Sequence, residues 1–217
     1  MSTFVTDRIP SIHRTASSPS TQLLDFAISA FVLCVTSPIL IAAGATMVLL
    51  SRRSPFVQHL RVGRNGRPLW MIKLRTMWNS EAKPKSFTFV ESVGDSAPEC
   101  KTAGDPMVHS AFARICRKYS IDELPQLIHV LRGEMSLVGP RPITSGELRR
   151  YYGVDAGEIL EMRPGISGLW QTMGRNHLSY AQRRRLDLFL VRHYSLKIYL
   201  MILLRTIPRA LSGIGAW

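Results

Sequence analysis

Acidic residues and cysteines are scarce in this chain. Its 217 residues include 15 Asp and Glu against 28 Lys and Arg, which gives a formal net charge of +13. This excess of positive charge predicts an anionic partner: a nucleic acid, an acidic lipid surface or a phosphorylated substrate. The three cysteines, Cys34, Cys100 and Cys116, are odd in number and lack the CxxC spacing of zinc sites. We therefore interpret them as reduced thiols in a cytosolic compartment.

Motifs for binding nucleotides or nucleic acids are also missing. Gly63 and Gly66 are too few and wrongly placed for a phosphate-binding loop, and hairpin glycines are the better interpretation. The arginines are dispersed, without a helix-turn-helix or an aromatic RNA-binding motif, so we expect no nucleic-acid partner. The mean hydropathy of +0.05 is high for so basic a protein. Basic and apolar character together indicate a membrane surface.

One long apolar segment follows a tail rich in Ser, Thr and Pro. Residues 1–20 show no sustained periodicity, which predicts a disordered tail. They make a poor signal peptide, because the apolar run after them is too long and has no small-residue cleavage site. Between Leu23 and Leu50 the only charged residue is Asp25. This length is sufficient to span a bilayer.

Two features argue against a simple crossing. Ser37 and Pro38 lie in the middle of the segment, where proline removes a backbone donor and the serine hydroxyl can satisfy the freed carbonyl. Basic residues flank both ends, which favours both ends on the cytoplasmic side. A helix that enters the membrane and turns back at Ser37–Pro38 fits both observations, although a kinked spanning helix remains open on the residues alone. The flanking basic residues are Arg8, Arg14, Arg52, Arg53, Arg61, Arg64 and Arg67.

Residues 61–77 predict a β-hairpin closed by Asn65–Gly66. In its second strand, alternate residues predict an apolar face, with Trp70, and an opposite face that ends in Lys73 and Arg75. On the residues alone, Lys73 and Arg75 could simply be solvated surface cations. Residues 78–113 read as a loop, and helix resumes near Ala111.

The most informative segment runs from residue 117 to residue 142. Its centre is the adjacent pair Asp122–Glu123, and Ser120 three residues before Glu123 predicts a capping box with both acids in a first helical turn. The prolines around Arg141 fix the backbone and direct that side chain. A guanidinium near two carboxylates indicates a site for phosphate and metal. On these residues alone, helix capping is the commoner role of such acids.

Two later segments each allow two interpretations. Arg163-Pro164-Gly165 and Gly168 predict a tight turn, in which Trp170 and Gln171 offer a stacking surface and an amide. The alternative is a packed turn with a core tryptophan. The apolar stretch 196–213 contains interrupting basic residues and suits an in-plane interfacial helix, with a core helix as the alternative.

Four blocks of the chain resemble the bacterial sugar transferase family, small monotopic phosphoglycosyl transferases that begin exopolysaccharide, O-antigen and glycoprotein glycan assembly. The blocks are Ser37–Pro38 in its apolar segment and residues 61–77, 117–142 and 163–176. The chain departs from the family at Met107, where Asp-Pro-Arg is common, and at Thr172–Met173, where Val-Ser is usual.

The resemblance implies a particular organisation. We expect an α+β monotopic membrane protein with a re-entrant kinked helix, a small β-hairpin, and a helical catalytic domain with interfacial amphipathic helices. The expected divisions are the tail at 1–20, the membrane helix-break-helix at 21–51, and a cytoplasmic catalytic domain at 52–217. That domain would lie on the cytoplasmic face of the bacterial inner membrane, in contact with its lipids. A homodimer remains open.

The resemblance also implies the reaction. A sugar 1-phosphate, glucose or galactose, would pass from a UDP-sugar to undecaprenyl phosphate with release of UMP, as the first step of glycan assembly. Asp122 would be the nucleophile that forms an aspartyl phosphosugar, Glu123 would assist, and both would bind Mg²⁺. The expected substrate-binding residues are Lys73, Arg75, Arg117, Pro140, Arg141, Arg163 and Gln171. The competing interpretation is a non-enzymatic, basic, membrane-associated scaffold protein, which leaves the acid pair among arginines unexplained.

Overall fold

A long N-terminal helix leads into a mixed arrangement of short helices and strands, so the predicted α+β character is confirmed. The computed structural model describes residues 18–77, 88–93, 110–174 and 178–212, apart from the side chains of 209–211. Met107, Cys100 and most of the predicted tail therefore lie outside the described residues. Ser18 to Ser20, assigned to the tail, instead begin the first helix.

Helix α1 (Pro19–Ser51) is 33 residues long and begins at Ser18, whose hydroxyl accepts the Ser20 N–H at 3.3 Å. It continues through Pro38, which has no N–H to donate to the Cys34 carbonyl. The Ser37 hydroxyl donates to that same carbonyl at 2.8 Å, as expected from the sequence. The hydroxyl thus replaces the lost backbone bond, and the helix is not interrupted at this pair.

Both halves of α1 pack against the rest of the protein. Leu24 and Ile28 pack against the main core cluster, whereas Ala43 and Met47 belong to a second buried cluster. Several large apolar side chains near the middle of the helix are exposed, although Leu40 is buried, and 17% of the most apolar segment is buried. By length and composition this helix could cross a membrane, and its low burial is unlike that of a core helix. The exposed apolar side chains near its middle are Phe31, Val35, Ile39 and Ile41.

A three-stranded sheet follows, in the order β2-β1-β3. Strands β1 (Phe56–Val62) and β2 (Pro68–Leu74) form the predicted antiparallel hairpin, and β3 (Val90–Val93) pairs with β1 in parallel. The turn between β1 and β2 is a 3-10 turn, Arg64–Gly66, with Asn65 and Gly66 at φ of 56° and 76°.

The predicted apolar face of β2, which carries Trp70, Ile72 and Leu74, is buried only at Leu74. Leu69 and Met71 are buried in the main core, while Trp70 on the opposite face is 41% exposed. The core therefore selects the face that carries Met71, and the same alternation brings Lys73 to the end of that inward face. The sequence pattern failed because both faces of this strand carry large apolar residues.

The second half of the chain is mostly helical, and helix resumes at Ala111 as predicted. A two-stranded parallel sheet, β4 (Ser136–Val138) with β5 (Gly165–Ser167), lies within it. Single 3-10 turns and one π-helical turn join the shorter helices. The helices are α2 (Ala111–Lys118), α3 (Leu127–Leu131), α4 (Ser145–Glu147), α5 (Ala156–Leu160), α6 (Leu169–Met173), α7 (Tyr180–Arg192) and α8 (Leu196–Ser212).

The β4–β5 pair brings two of the sequence blocks together. Gly139 N–H donates to Ser167 O at 2.9 Å, and Gly165 N–H donates to Pro140 O at 2.8 Å. A Cβ at Gly139 would overlap the Arg163 carbonyl, so glycine permits this backbone approach. The turn that carries Arg141 is thereby held against the Arg163 turn.

The core interpretation of helix α8 is confirmed along one of its faces. Tyr199 and Ile202 are fully buried in the main core. The other face presents an exposed apolar stripe at helical spacing. This stripe is Leu196, Leu200, Leu204 and Ile207.

Candidate functional site

The acid pair lies in a short 3-10 helix, Ile121–Gln126, that precedes α3. The predicted capping box is wrong, because Ser120 has a left-handed backbone (φ 56°) and its side chain makes no capping hydrogen bond. The Ser120 carbonyl accepts the Glu123 N–H at 3.1 Å instead. The two carboxylates therefore begin a tight turn and not an α-helix.

The apolar neighbours of the acid pair place it against both halves of α1. Ile121 packs with the cluster that contains Ala43 and Met47, whereas Leu124 packs with the cluster approached by Leu24. Helix α1 also contacts this 3-10 helix directly. The acid pair is consequently held beside the long apolar helix.

The two carboxylates have different surroundings. Asp122 is 6% exposed and lies close enough to Cys116 to affect its titration. Burial, followed by the charge of Asp122, raises the pKa of the Cys116 thiol to about 11. The Glu123 side chain is 29% exposed, and its Oε1 atom receives the Lys73 ammonium at 2.9 Å. Lys73 thus compensates one negative charge of the adjacent pair.

His129 holds β2 in place beside this site. Its Nε2 atom accepts the Ile72 N–H at 3.1 Å, and its Nδ1 atom lies 2.5 Å from a carboxylate oxygen of Glu134. Ile72 immediately precedes Lys73, so the imidazole fixes the strand that presents the lysine. Sequence reasoning missed His129, although its position six residues after Glu123 placed it on the next helix.

Two other predicted cations have different placements. Arg117 is buried in the last turn of α2, close in sequence to the acid pair. Arg75 is 6% exposed and donates to the Ser54 carbonyl at 2.7 Å and to Glu91 at 2.5 Å. Burial lowers the pKa of Arg75, and Glu91 opposes that effect. These contacts tie Arg75 to the sheet edge and not to Glu123.

Arg163 lies beside the one charge of α1. Its Nη2 atom is 3.4 Å from Asp25 Oδ2. The other oxygen of Asp25 accepts the Tyr199 hydroxyl at 2.8 Å and the Leu137 N–H at 3.0 Å. Burial and the nearby Asp25 raise the pKa of Tyr199. Asp25 was noticed as a charge in an apolar run, which is the signal that could have predicted this buried network.

Arg141 is placed against Trp170, with its guanidinium carbon 5.7 Å from the ring centroid. Trp170 is 4% exposed and lies in the first turn of α6 beside Gln171, whose amide donates to Ile166 O at 3.1 Å. A small cleft beside Pro140 and Arg141 is lined mainly by apolar residues. These include Val62, Gly63, Ile143 and Met162.

Strand β2 lies between the acid pair and the segment that carries Arg141. Lys73, which contacts Glu123, lies near one end of the strand, and Pro68 lies at the other end opposite Val62. Val62 bridges Ile143, two residues beyond Arg141. Strand β2 therefore links the acid pair, through Lys73, with the segment that carries Arg141, through Val62 on the neighbouring strand.

An acid pair held against a long, largely unburied apolar helix, with an ammonium at its edge, suits an enzyme that works at a membrane. The comparison with known families agrees with this class. The family model described as "Bacterial sugar transferase" matches residues 16–213. The chain belongs to the bacterial sugar transferase family, is of exopolysaccharide type, and is a sugar-phosphate transferase. The resemblance found from the sequence motifs is thus confirmed.

Three curated relatives illustrate the family. The exopolysaccharide production protein ExoY of Sinorhizobium fredii is 36% identical over 91% of this chain and 88% of its own length. The undecaprenyl-phosphate galactose phosphotransferase of Salmonella typhimurium is 37% identical over 90% of this chain but 41% of its own length. The UDP-glucose:undecaprenyl-phosphate glucose-1-phosphate transferase of Caulobacter vibrioides is 34% identical over 90% of this chain and 71% of its own length.

Proposed function

We propose that this protein transfers a sugar 1-phosphate from a UDP-sugar to undecaprenyl phosphate and releases UMP, as the first step in assembling an exopolysaccharide. The observation that carries the proposal is the part-buried Asp122–Glu123 pair, whose neighbours Ile121 and Leu124 pack in the two clusters that contact the two halves of the apolar helix. The names of two relatives describe such a transfer, one with galactose and the other with glucose. These two sugars are the first donors to test.

The transfer proceeds in two displacements. In the first, an Asp122 carboxylate oxygen attacks the sugar-bearing phosphorus, a new P–O bond forms, and the bond to the UMP phosphate breaks with its electron pair leaving on UMP. In the second, an oxygen of undecaprenyl phosphate attacks the same phosphorus and the Asp122 carboxylate departs. Any proton on the lipid phosphate passes to Glu123.

The local charges suit these roles. Asp122 reacts as a carboxylate, while Lys73 pairs with the neighbouring Glu123 and limits repulsion between the two acids. The pairing also fixes Glu123 beside the nucleophile. Arg117 and Arg141 bind phosphate oxygens in this proposal, the latter from the turn fixed by Pro140.

The donor set fits magnesium. No cluster of three or more His, Cys, Asp or Glu occurs among the described residues, but Mg²⁺ is commonly held by one or two carboxylates together with substrate phosphates. Asp122 and Glu123 would hold the ion. When bound, it would neutralise charge on the diphosphate of the donor.

The same proposal places the protein on the cytoplasmic face of the inner membrane without crossing it. Helix α1 is about 50 Å long, and both of its halves contact one folded unit. A spanning helix would place one end beyond about 30 Å of hydrocarbon. A bend at Pro38 would let the exposed middle of α1 enter the bilayer while both ends remain with the catalytic domain. The apolar stripe of α8 would lie in the interface.

The test uses purified protein in detergent with magnesium, undecaprenyl phosphate, and UDP-glucose or UDP-galactose. We expect release of UMP with at least one donor, and its loss in Asp122→Asn without loss of membrane association. The absence of UMP release from the wild-type protein with any UDP-sugar would favour the non-enzymatic scaffold.

A further inference from the structure

Arg183 is a cation near the site that the sequence blocks do not include. It lies in the first turn of α7, where its Nε atom donates to Leu178 O at 3.0 Å. Its guanidinium carbon is 4.8 Å from the Trp170 ring centroid and 5.0 Å from that of Tyr180. Arg141, which precedes Trp170 in the sequence, lies over the same tryptophan ring. One buried indole therefore holds two guanidinium groups.

Asp187 is an acidic side chain close to these two cations. Asp187 is fully buried one helical turn after Arg183, and its Oδ2 atom accepts the Tyr152 hydroxyl at 3.1 Å. Both arginine charges act on this carboxylate. Within the described ranges, however, neither arginine forms a hydrogen-bonded ion pair with it, and Asp187 Oδ1 has no hydrogen-bond partner. The two guanidinium groups thus lie near a buried carboxyl group with which neither of them forms an ion pair.

The exposure of Trp170, Arg141 and Arg183 leaves the two guanidinium groups accessible to a ligand. Trp170 is buried, whereas Arg141 and Arg183 are each only partly buried. Stacking on an aromatic ring orients a guanidinium without occupying its N–H edge, which remains suited to a bidentate contact with phosphate. Arg141 also borders the cleft at Pro140, so the pair lies at an opening and not within the core.

We propose that Arg141 and Arg183 form a two-arginine clamp over Trp170 that binds a phosphate group of a substrate. The inference rests on the proposed function and adds Arg183 as a substrate-binding residue. The phosphate belongs either to the sugar nucleotide or to the lipid acceptor, which share this chemistry. Trp170 holds the two guanidinium groups together and fixes their orientation.

The test compares Arg183→Ala with Arg185→Ala, since Arg185 is an exposed arginine two residues further along the same helix. Initial rates of UMP release are measured while the UDP-sugar and undecaprenyl phosphate concentrations are varied separately. We expect Arg183→Ala to raise the KM for one of them about tenfold with little change in kcat, because a charge-assisted contact is lost. The substrate whose KM rises identifies the phosphate. Arg183→Lys should recover part of the loss, and Arg185→Ala should behave as wild type.

Binding of UDP-glucose, UDP-galactose and UMP to the same variants by calorimetry gives a readout that does not need turnover. Unchanged KM values for both substrates in Arg183→Ala, with only a lower melting temperature, would show that Arg183 merely packs on Trp170 and would overturn the clamp. That outcome leaves the proposed function intact. If the wild-type protein releases no UMP and binds none of these nucleotides, the proposed function itself fails.

Discussion

Asp122 and Glu123 are neighbours in sequence but not in environment. Asp122 is almost entirely buried beside Cys116, whereas Glu123 is more exposed and paired with Lys73. A buried carboxylate suits a nucleophile shielded from water, and a more exposed carboxylate held by an ammonium suits orientation and proton transfer. The structure thus supports separate roles for two residues that the sequence presents as a pair.

Lys73→Met tests the contribution of this ammonium. We expect kcat to fall about tenfold, equivalent to about 1.4 kcal/mol, because Glu123 loses the partner that orients it and offsets its charge. Steady-state UMP release provides the measurement, and Lys118→Met, at an exposed lysine of α2, is the matched control. Wild-type kcat in Lys73→Met would remove this ion pair from the mechanism.

Asp187 predicts a dependence of stability on pH. Burial raises the pKa of Asp187 to about 8, against the opposing effects of Tyr152, Arg141, Trp170 and Arg183. Between about pH 4 and pH 8 the folded protein therefore retains a proton that the unfolded chain has lost, so this group makes stability fall as pH rises.

We expect Asp187→Asn to have a flatter pH dependence than wild type between pH 5 and pH 8. Thermal unfolding in detergent at several pH values measures the difference between the two proteins, so other titrating groups common to both cancel. Parallel curves would show that Asp187 is already ionised throughout this range.

At the scale of elements, the local signals in the sequence were sufficient for much of the fold. The length and apolarity of α1, the Ser37–Pro38 pair and the Asn65–Gly66 turn each act within a few residues, and the helix and hairpin were predicted from them. The family motifs also drew attention to Asp122. These features could be read because their causes are local.

The errors and omissions arose from contacts between distant segments. Packing against the core determines which face of β2 is buried. Ser120 adopts a left-handed backbone that its neighbours in the sequence do not predict. Asp25 meets Tyr199 across 174 positions, and Arg183 meets Arg141 only through Trp170. Sequence spacing carries no information about such meetings.

Asp25 joins α1 to three other segments, and its removal should loosen them. In Asp25→Asn the charge that faces Arg163 is lost and the hydrogen bonds from Tyr199 and Leu137 lose their ionised acceptor. We expect destabilisation of about 2–3 kcal/mol, the usual scale for hydrogen bonds to a charged group. Thermal unfolding of the detergent-solubilised protein checks this, with Ser20→Ala at the exposed start of α1 as the control.

A melting temperature for Asp25→Asn within one degree of wild type would contradict a structural role for this network. In that case Arg163 would be available to a substrate, as the family resemblance implied.

For the whole molecule, the arrangement of α1 predicts its topology in the membrane. Both ends should be accessible from the cytoplasm, because both halves pack on one domain. In a protein with its native cysteines replaced by serine, Ser20→Cys and Arg52→Cys provide single thiols at the two ends. A membrane-impermeant maleimide should label neither in intact cells and both in inside-out vesicles. Labelling of one end from outside would establish a spanning helix.

The central claim is that Asp122 becomes covalently phosphorylated by the sugar donor. Its most direct test is intact-protein and peptide mass spectrometry of protein incubated with magnesium and the UDP-sugar it uses, without lipid acceptor. We expect a mass increase of one sugar phosphate on the peptide containing Asp122, absent in Asp122→Asn and discharged by undecaprenyl phosphate. An unmodified Asp122 in protein that still transfers sugar phosphate to the lipid would contradict it.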